Sequence, residues 1–458
     1  MANKVVKFGG SSLADAAQFR KVAAIIHAED ARRYVVPSAP GKRNSADTKV
    51  TDMLYACHEL AQKGQDFSQD LNRIHSRYQG IIDDLRLALS LDDAFARIAA
   101  DLKQGASRDY AASRGEYLNG MLLANYLGYA FLDAAEVIRF DQNGAFQLDE
   151  TIALLRQRLS GMDRVVLPGF YGATADGHVR TFSRGGSDVT GSILARAVKA
   201  DIYENWTDVS GFLIADPRVV SDPKVISTIT YEELRELSYM GATVLHEDAI
   251  FPVRTAGIPI NIRNTNCPDA PGTMIVSDDN DEVSGYTITG IAGKKGFCAI
   301  NMQKAMMNSE LGFCRKVLGV LEDNGVNFEH MPSGIDTVSV ILPKEEYEQK
   351  EEAIMESLKR LLEPDKIEVD RDMALVTVVG KGMRSVSGIA ATFFSSLGAA
   401  DVNIKMIDMG SNEVNCTIGV KNEDFEKAIR ALYYALVEPE RAGAQSGGSE
   451  YDRPENDK

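Results

Sequence analysis

The sequence predicts an α/β protein: a mostly parallel sheet covered by helices on both faces, followed by two copies of a smaller unit. Three observations predict it. From residue 4 to about 274, short apolar runs alternate with segments of helical period. Two of the turns in that stretch are built on paired glycines, Gly9-Gly10 and Gly185-Gly186. The last third repeats itself at one fixed shift, 76 residues, from Ala299 to Leu375.

The elements follow in order. Val5-Val6-Lys7-Phe8 reads as a buried strand. A glycine-serine turn leads into a helix with Phe19, Val22, Ala23 and Ile26 on one face. Tyr34-Val35-Val36 is a second strand. Residues 48–127 are helical, with breaks near Gly64, Leu91 and Gly105. Further strands fall at Arg164-Val165-Val166-Leu167, at Ile202-Tyr203 and over 258–262. In the last third, Ala299-Ile300-Asn301-Met302 aligns with Leu375-Val376-Thr377-Val378. Phe313, Val317, Leu318 and Leu321 align with Ile389, Phe393, Phe394 and Leu397. Val326-Asn327-Phe328 aligns with Val402-Asn403-Ile404, and Val338 with Val414. Each copy reads strand, helix, strand, strand, helix, with Gly325 and Gly398 ending the first helix. Two small half-open sheets are expected to pair edge to edge or face to face. The pairing can be purely structural, or it can leave a ligand cleft.

Length and composition bound the function. At 458 residues the chain has room for about three domains. Apolar residues make up 44% and charged residues 25%, as in soluble globular proteins. No run of eighteen apolar residues predicts a membrane span, and the start, Met1-Ala2-Asn3-Lys4, does not read as a signal peptide, so a cytoplasmic protein is expected. Cys57, Cys267, Cys298, Cys314 and Cys416 lack metal-site or disulfide spacing, and no metal-ligating residues are predicted. A net charge of −16 argues against nucleic acid and anionic membrane as partners. Anionic substrates would need locally concentrated cations.

Two such places stand out. In Lys7-Phe8-Gly9-Gly10-Ser11-Ser12 a strand ends, glycines turn the backbone and serines open a helix. Backbone N–H groups there favour an anion, and Lys7 adds a charge. The lysine precedes the glycines, so this is not a Walker A loop. An ordinary strand-turn-helix capped by Ser12 stays open. In Thr181-Phe182-Ser183-Arg184-Gly185-Gly186-Ser187-Asp188 the pattern recurs. Arg184 suits a carboxylate, and Asp188 falls in the first turn of a helix carrying Val189, Ile193, Leu194, Ala197 and Val198. Two such turns at strand carboxyl ends can share a crevice and pass a phosphoryl group between two anions. The segment from Trp206-Thr207-Asp208 through Asp216-Pro217-Arg218 reads equally as a polar loop.

K-F-G-G-S-S, then S-R-G-E at residues 113–116, T-F-S-R-G-G-S-D, T-D-V-S-G-x-x-x-A-D-P-R and Gly241-Ala242-Thr243-Val244-Leu245-His246 occur in that order, ahead of the doubled unit. Over residues 3–438 this resembles the aspartokinases of the amino acid kinase superfamily. The resemblance implies an amino acid kinase-like three-layer sandwich over 1–284. It also implies two ferredoxin-like βαββαβ ACT domains, at 285–365 and 366–438, with a disordered tail at 439–458. The activity implied is transfer of a phosphoryl group from ATP to the β-carboxylate of L-aspartate.

Position by position, the resemblance implies that Lys7 binds the transferring group and Asp188 organises the reacting centre. Gly9, Gly10 and Ser11 would meet ATP phosphates, while Thr207, Asp208, Asp216 and Arg218 line the nucleotide site. Thr51, Glu116, Phe170, Arg184 and Ser187 would form the aspartate pocket, with Glu116 on the ammonium and Arg184 on the α-carboxylate. Mg²⁺ would be held mainly by ATP phosphates and water. Two positions depart from the family pattern. A nucleotide-contacting lysine is replaced by Thr243, with Lys224 or Arg218 as substitutes, and a common proline by Glu247. The ACT resemblance implies a homo-oligomer, a dimer or dimer of dimers, with an amino-acid effector site. Candidate contacts are Met307, Ser309, Gly312, Asn327, Phe328, Glu329, Ser333 and Gly334. Glu329 favours lysine over threonine, although a solvated strand end fits it equally. Competing expectations are a glutamate 5-kinase, a carbamate kinase, or an amino-acid sensor without catalysis. No dehydrogenase unit is expected, since no G-x-G-x-x-G follows residue 438.

Overall fold

A computed structural model describes residues 3–183, 185–242, 245, 247–279, 287–410 and 414–439, with the backbone alone at 247–248. Arg184, Thr243, His246, the expected boundary at 284/285 and all of the expected tail but Pro439 lie outside the described residues. One compact body holds residues 3–212, 225–232 and 245–279; the other holds 213–224, 233–242 and 287–439.

The first body is built on an eight-stranded sheet. Its strands are β1 (Lys4–Phe8), β2 (Arg32–Pro37), β3 (Ala130–Phe131), β4 (Val165–Val166), β5 (Ile202–Thr207), β6 (Thr228–Thr230), β7 (Ile260–Asn264) and β8 (Thr273–Val276). They lie in the order β3-β4-β2-β1-β5-β7-β8-β6. The first six in that order run parallel; β8 is antiparallel to β7, and β6 parallel to β8. A parallel sheet is covered on both faces, so its central strands read as near-continuous apolar runs. In β1 Val5, Val6 and Phe8 obey that rule and Lys7 breaks it while still buried. A smaller sheet joins Arg139–Phe140, Tyr171–Thr174 and Val179–Thr181.

The helices α1 (Ala16–His27), α2 (Val50–Gln62), α3 (Ser68–Leu85), α4 (Asp92–Lys103), α5 (Arg108–Leu127) and α6 (Gly186–Val198) belong to this body. Phe19, Val22, Ala23 and Ile26 of α1 enter a common core with Leu54, Ile74, Phe95 and Leu118 of α2–α5. Each such large side chain contributes roughly 1.5–3 kcal/mol by leaving water. The start of α1 differs from the sequence expectation. Gly10–Leu13 forms a 3₁₀ turn, and α1 begins only at Ala16, where the Asp15 side chain accepts from Gln18 N at 2.9 Å. Asp15, not Ser12, is the cap; the Ser12 hydroxyl lies 2.8 Å from that of Thr265.

The second body carries β9 (Gly290–Gln303), α7 (Phe313–Asp323), β10 (Thr337–Pro343), α8 (Glu351–Leu362), β11 (Lys366–Val379), α9 (Ile389–Ala399), β12 (Met406–Asp408), β13 (Asn415–Val420) and α10 (Phe425–Val437). The two copies pool their strands in one antiparallel sheet, β10-β9-β11-β13-β12, joined where β9 pairs with β11 from Gly290↔Val379 to Gln303↔Lys366. The 76-residue shift is visible in the helix ends. Val326 N donates to Leu321 O at 3.0 Å, and Val402 N to Leu397 O at 2.9 Å. Each closes a Schellman turn around a left-handed residue, Gly325 (φ 59°) and Asp401 (φ 53°). Gly398, expected to end its helix, lies inside α9. The strands expected at Val326-Asn327-Phe328 and Val402-Asn403-Ile404 are not formed there. The first copy has only isolated bridges at His330 and Ser333, flanking Pro332, which has no N–H to give a ladder. The second has β12 a few residues later.

Candidate active site

β1 and β5 pair in parallel with Lys7 opposite Asn205 and Phe8 opposite Trp206. Their carboxyl ends face the start of α6, where Gly185 adopts φ 56° and the next residues open the helix. Lys7 Nζ lies 2.5 Å from Asp188 Oδ1 and donates to Asn205 Oδ1 at 3.3 Å. Asn205 Nδ2 donates to the same Asp188 oxygen at 2.9 Å. Side-chain exposure is 9% for Lys7 and 19% for Asp188, so little water screens the pair.

Strand alternation explains how α6 is held. Tyr203 and Asn205 share one face of β5. The Tyr203 hydroxyl donates to Asp188 O at 3.1 Å. A Cβ on Gly191 would come within 2.5 Å of that hydroxyl, so the glycine admits the ring. On the opposite face Glu204, 1% exposed, accepts from Arg32 Nε at 2.8 Å and Trp206 Nε1 at 2.9 Å. The polar side chains on β5 thus sort by face: Glu204 in a structural cluster behind the sheet, and Asn205 toward α6.

The wall opposite is equally tight. A Cβ on Gly186 would lie 2.4 Å from Phe170 Cδ2, and one on Gly169 would lie 2.6 Å from Ser187 Cβ. Phe170 itself has φ 79°, an unusual value for an aromatic residue. Its amide donates to the Thr190 hydroxyl at 3.1 Å, and its carbonyl accepts from Phe182 N at 3.0 Å. Strain held by neighbours in this way is common at ligand-binding positions.

A cavity of 240 Å³ opens among these groups, lined by Lys7, Ser38, Thr51, Glu116, Phe170, Gly185, Gly186, Ser187 and Asp188. Thr51 enters from the first turn of α2 and Glu116 from α5. Glu116 is 5% exposed, its Oε2 is buried without a hydrogen-bond partner, and burial pushes its carboxyl up to about 8. A buried carboxyl with one unpartnered oxygen on a pocket wall is suited to an arriving ammonium. The Lys7 ammonium and the amino end of α6 line the same cavity and suit anionic groups. The cavity therefore fits a small molecule that carries both an ammonium and acidic groups.

The glycine turn closes one side. Gly9 N donates to Trp206 O at 2.9 Å, extending the β1–β5 ladder, so the N–H expected to meet phosphate is already engaged. At Gly10 a Cβ would lie 2.8 Å from Ala39 O, and Gly41 N donates to Gly10 O at 2.7 Å. Here the need is for two backbones to touch. Ser11 lies within the 3₁₀ turn.

Other expected positions lie elsewhere. Thr207 ends β5 and its hydroxyl donates to Asp208 Oδ1 at 3.2 Å. Asp216, Arg218 and Lys224 belong to the second body. There Arg218 bonds Asp216 through Nε at 3.0 Å and Nη2 at 2.5 Å, and Lys224 Nζ lies 3.6 Å from Glu438 Oε1. The expected effector contacts are also in the second body. The Met307 side chain is buried in the core of the first copy with Phe313 and Val317. Ser309 N donates to Met306 O at 3.0 Å, and Gly312 starts α7 at φ 78°. Phe328 is 44% exposed and Asn327 lies beside it. The Glu329 carboxylate, expected to face a cation or solvent, accepts from the Tyr239 hydroxyl at 2.7 Å. Ser333 bridges Val338, and Gly334 N donates to Thr337 O at 2.7 Å.

Asn205 and Ser38 are site residues that the sequence reading missed. For Asn205 the signal was present: Glu204-Asn205 puts two polar side chains inside a central parallel strand.

Residues 3–264 match the amino acid kinase family and residues 376–436 match an ACT domain. The chain is 41% identical over 445 residues to aspartokinase 3 of Bacillus subtilis, covering 94% of this chain and 98% of that one. Its structure is similar to that of an aspartate kinase from Clostridium acetobutylicum, with TM-score 0.87 and 51% identity, over 95% of this chain and 100% of that one. It is also similar to Escherichia coli aspartokinase III in complex with aspartate and ADP, with TM-score 0.68 and 26% identity over 95% and 100% of the two chains. The same enzyme in complex with lysine and aspartate gives 0.69 and 25%, at the same coverage.

Proposed function

We propose that this chain, which belongs to the amino acid kinase family and within it to the aspartokinases, transfers the γ-phosphoryl group of ATP to the β-carboxylate of L-aspartate. The product is 4-phospho-L-aspartate, and the step opens lysine, threonine and methionine biosynthesis. One observation carries the reading: Lys7, Asp188 and Glu116 line a single cavity sized for a small amino acid.

The β-carboxylate is already a nucleophile, so no strong general base is required, and the work left is positioning and neutralisation of charge. Glu116 takes the substrate ammonium. Ser187 and the amino end of α6 take the α-carboxylate, together with Arg184. Phe170 and Thr51 wall the carbon chain. Lys7 meets the transferring phosphoryl group, and Asp188 holds Lys7 in place. Gly10 and Ser11 border the phosphates. Thr207 and Asp208 serve the rest of the nucleotide. Magnesium, held mainly by ATP phosphates and water, would supply neutralisation of part of the phosphate charge.

We assign the catalytic domain to 1–284 and the ACT domains to 285–365 and 366–438. The match of 3–264 to the kinase family and of 376–436 to an ACT domain supports the first and last of these. In the cell this is a cytoplasmic homo-oligomer assembled through its ACT domains, with lysine as feedback inhibitor. The lysine complex of the E. coli relative supports the choice of effector.

The test is ADP release by purified protein with Mg-ATP. L-aspartate should start it, L-glutamate should not, and added L-lysine should slow it. ADP release indifferent to aspartate would sink the proposal, and a rate unmoved by lysine would sink the effector assignment alone.

A further inference from the structure

Asn205 is 4% exposed, and both ends of its amide are used, one on a cation and one on an anion. The orientation follows from the partners: oxygen toward the Lys7 ammonium, nitrogen toward the Asp188 carboxylate.

An ammonium has three N–H bonds in fixed tetrahedral directions but turns freely about its last C–N bond. One acceptor restrains that rotation through a single contact, and a second acceptor in another direction adds a second restraint that narrows the direction left to the third N–H. Asp188 Oδ1 at 2.5 Å is the first acceptor of Lys7 and Asn205 Oδ1 at 3.3 Å the second. Lys7 lines the cavity, so a third N–H held in one direction is a donor aimed before any ligand arrives. The amide also ties down Asp188, since Asn205 Nδ2 reaches Oδ1 at 2.9 Å while Tyr203 on the same strand face holds the Asp188 carbonyl at 3.1 Å.

We infer that Asn205 is a positioning residue for phosphoryl transfer: its amide, set between Lys7 and Asp188, locks the ammonium in the direction the transferring group needs. The inference rests on the assignment of Lys7 and Asp188 to that group. An apolar residue of similar size would keep the packing and lose the lock. An aspartate would accept from Lys7 but set a second carboxylate against Asp188.

The test is a double-mutant cycle on the full-length enzyme. Asn205→Leu and, should that variant fold poorly, Asn205→Ser are compared with Lys7→Ala and with the corresponding double mutant. Melting temperature and KM for both substrates are measured alongside kcat. Asn205→Leu should lower kcat about tenfold, with KM for aspartate within about twofold, because the lost contact matters mainly in the transition state. In the Lys7→Ala background the same change should cost little further, since no ammonium remains to be aimed. A drop in melting temperature at unchanged kcat, or a full extra loss in the Lys7→Ala background, overturns the inference. If Lys7→Ala alone leaves kcat near normal, the assignment of Lys7 is wrong instead, and the two failures are told apart by that single variant.

Discussion

Lys7 Nζ and Asp188 Oδ1 meet at 2.5 Å, joining the carboxyl end of a central strand to the first turn of a helix far along the chain. The pair is mostly shielded from solvent, so removing one partner leaves the other badly placed. Asp188→Asn should therefore lower kcat by roughly 10²-fold, the usual scale for losing one stabilising contact in a preorganised site. KM for aspartate should stay within about threefold. Steady-state kinetics with each substrate varied in turn checks both. A normal kcat with a raised aspartate KM would move Asp188 from the reacting centre to the substrate pocket.

If Glu116 takes the substrate ammonium, aspartate binding should depend on pH. Burial raises its carboxyl to about 8, so near pH 7 the group is neutral in the empty cavity. An incoming ammonium favours the ionised form, so binding near pH 7 should expel about one proton, and binding above pH 9 almost none. Calorimetric titration of aspartate in buffers of different ionisation enthalpy measures this directly. Glu116→Gln should abolish the release, and a wild-type protein that releases no proton at pH 7 contradicts the ammonium contact.

The same shift acts on stability. A raised carboxyl contributes stability that is fully present below its unfolded value and is lost as pH rises through about 8. Wild-type stability should fall between pH 5 and pH 9 more steeply than that of Glu116→Gln. Urea unfolding at several pH values reads the difference, and parallel curves would show that Glu116 is not desolvated in solution.

Gly10 and Gly41 touch backbone to backbone. A Cβ on Gly41 would lie 2.5 Å from the Gly10 carbonyl carbon. Gly41→Ala should cost about 1–3 kcal/mol, the usual range for overpacking, and should raise KM for ATP by displacing the turn. Thermal melts and ATP titrations check the two parts separately. An alanine accepted without either effect would mean that this contact has slack.

The Tyr239 hydroxyl donates to the Glu329 carboxylate at 2.7 Å and would compete with a cationic effector bound there. Tyr239→Phe should lower the lysine concentration giving half inhibition by roughly two- to tenfold, the range expected for one hydrogen bond of modest net strength. Glu329→Gln should raise it. Inhibition curves unchanged in both variants would place the effector elsewhere.

Much of this site is legible in the chain because its parts carry local signals. Paired glycines after an apolar run mark the turn at Gly9-Gly10, and the S-R-G-E segment points to Glu116 through its resemblance to the aspartokinases. What escaped reading depends on partners distant in sequence. A polar Asn205 inside a central strand is a local signal, but its partners Lys7 and Asp188 follow from the register of β1 and β5 and the placing of α6, which no local pattern states. The Gly9 N–H is taken by Trp206 for the same reason. Asp401 takes the left-handed position held by Gly325 in the first copy, and an aspartate there gives a weaker signal than a glycine. The Asp15 cap was legible, but the 3₁₀ turn before it postpones the helix by several residues.

The most direct measurement traps the product. An acyl phosphate reacts with hydroxylamine to give a hydroxamate, so wild-type protein with Mg-ATP, L-aspartate and hydroxylamine should accumulate aspartyl hydroxamate. Lys7→Ala should make it about 10²–10³-fold more slowly. ADP release without hydroxamate, or hydroxamate formed by Lys7→Ala at the wild-type rate, would contradict the account.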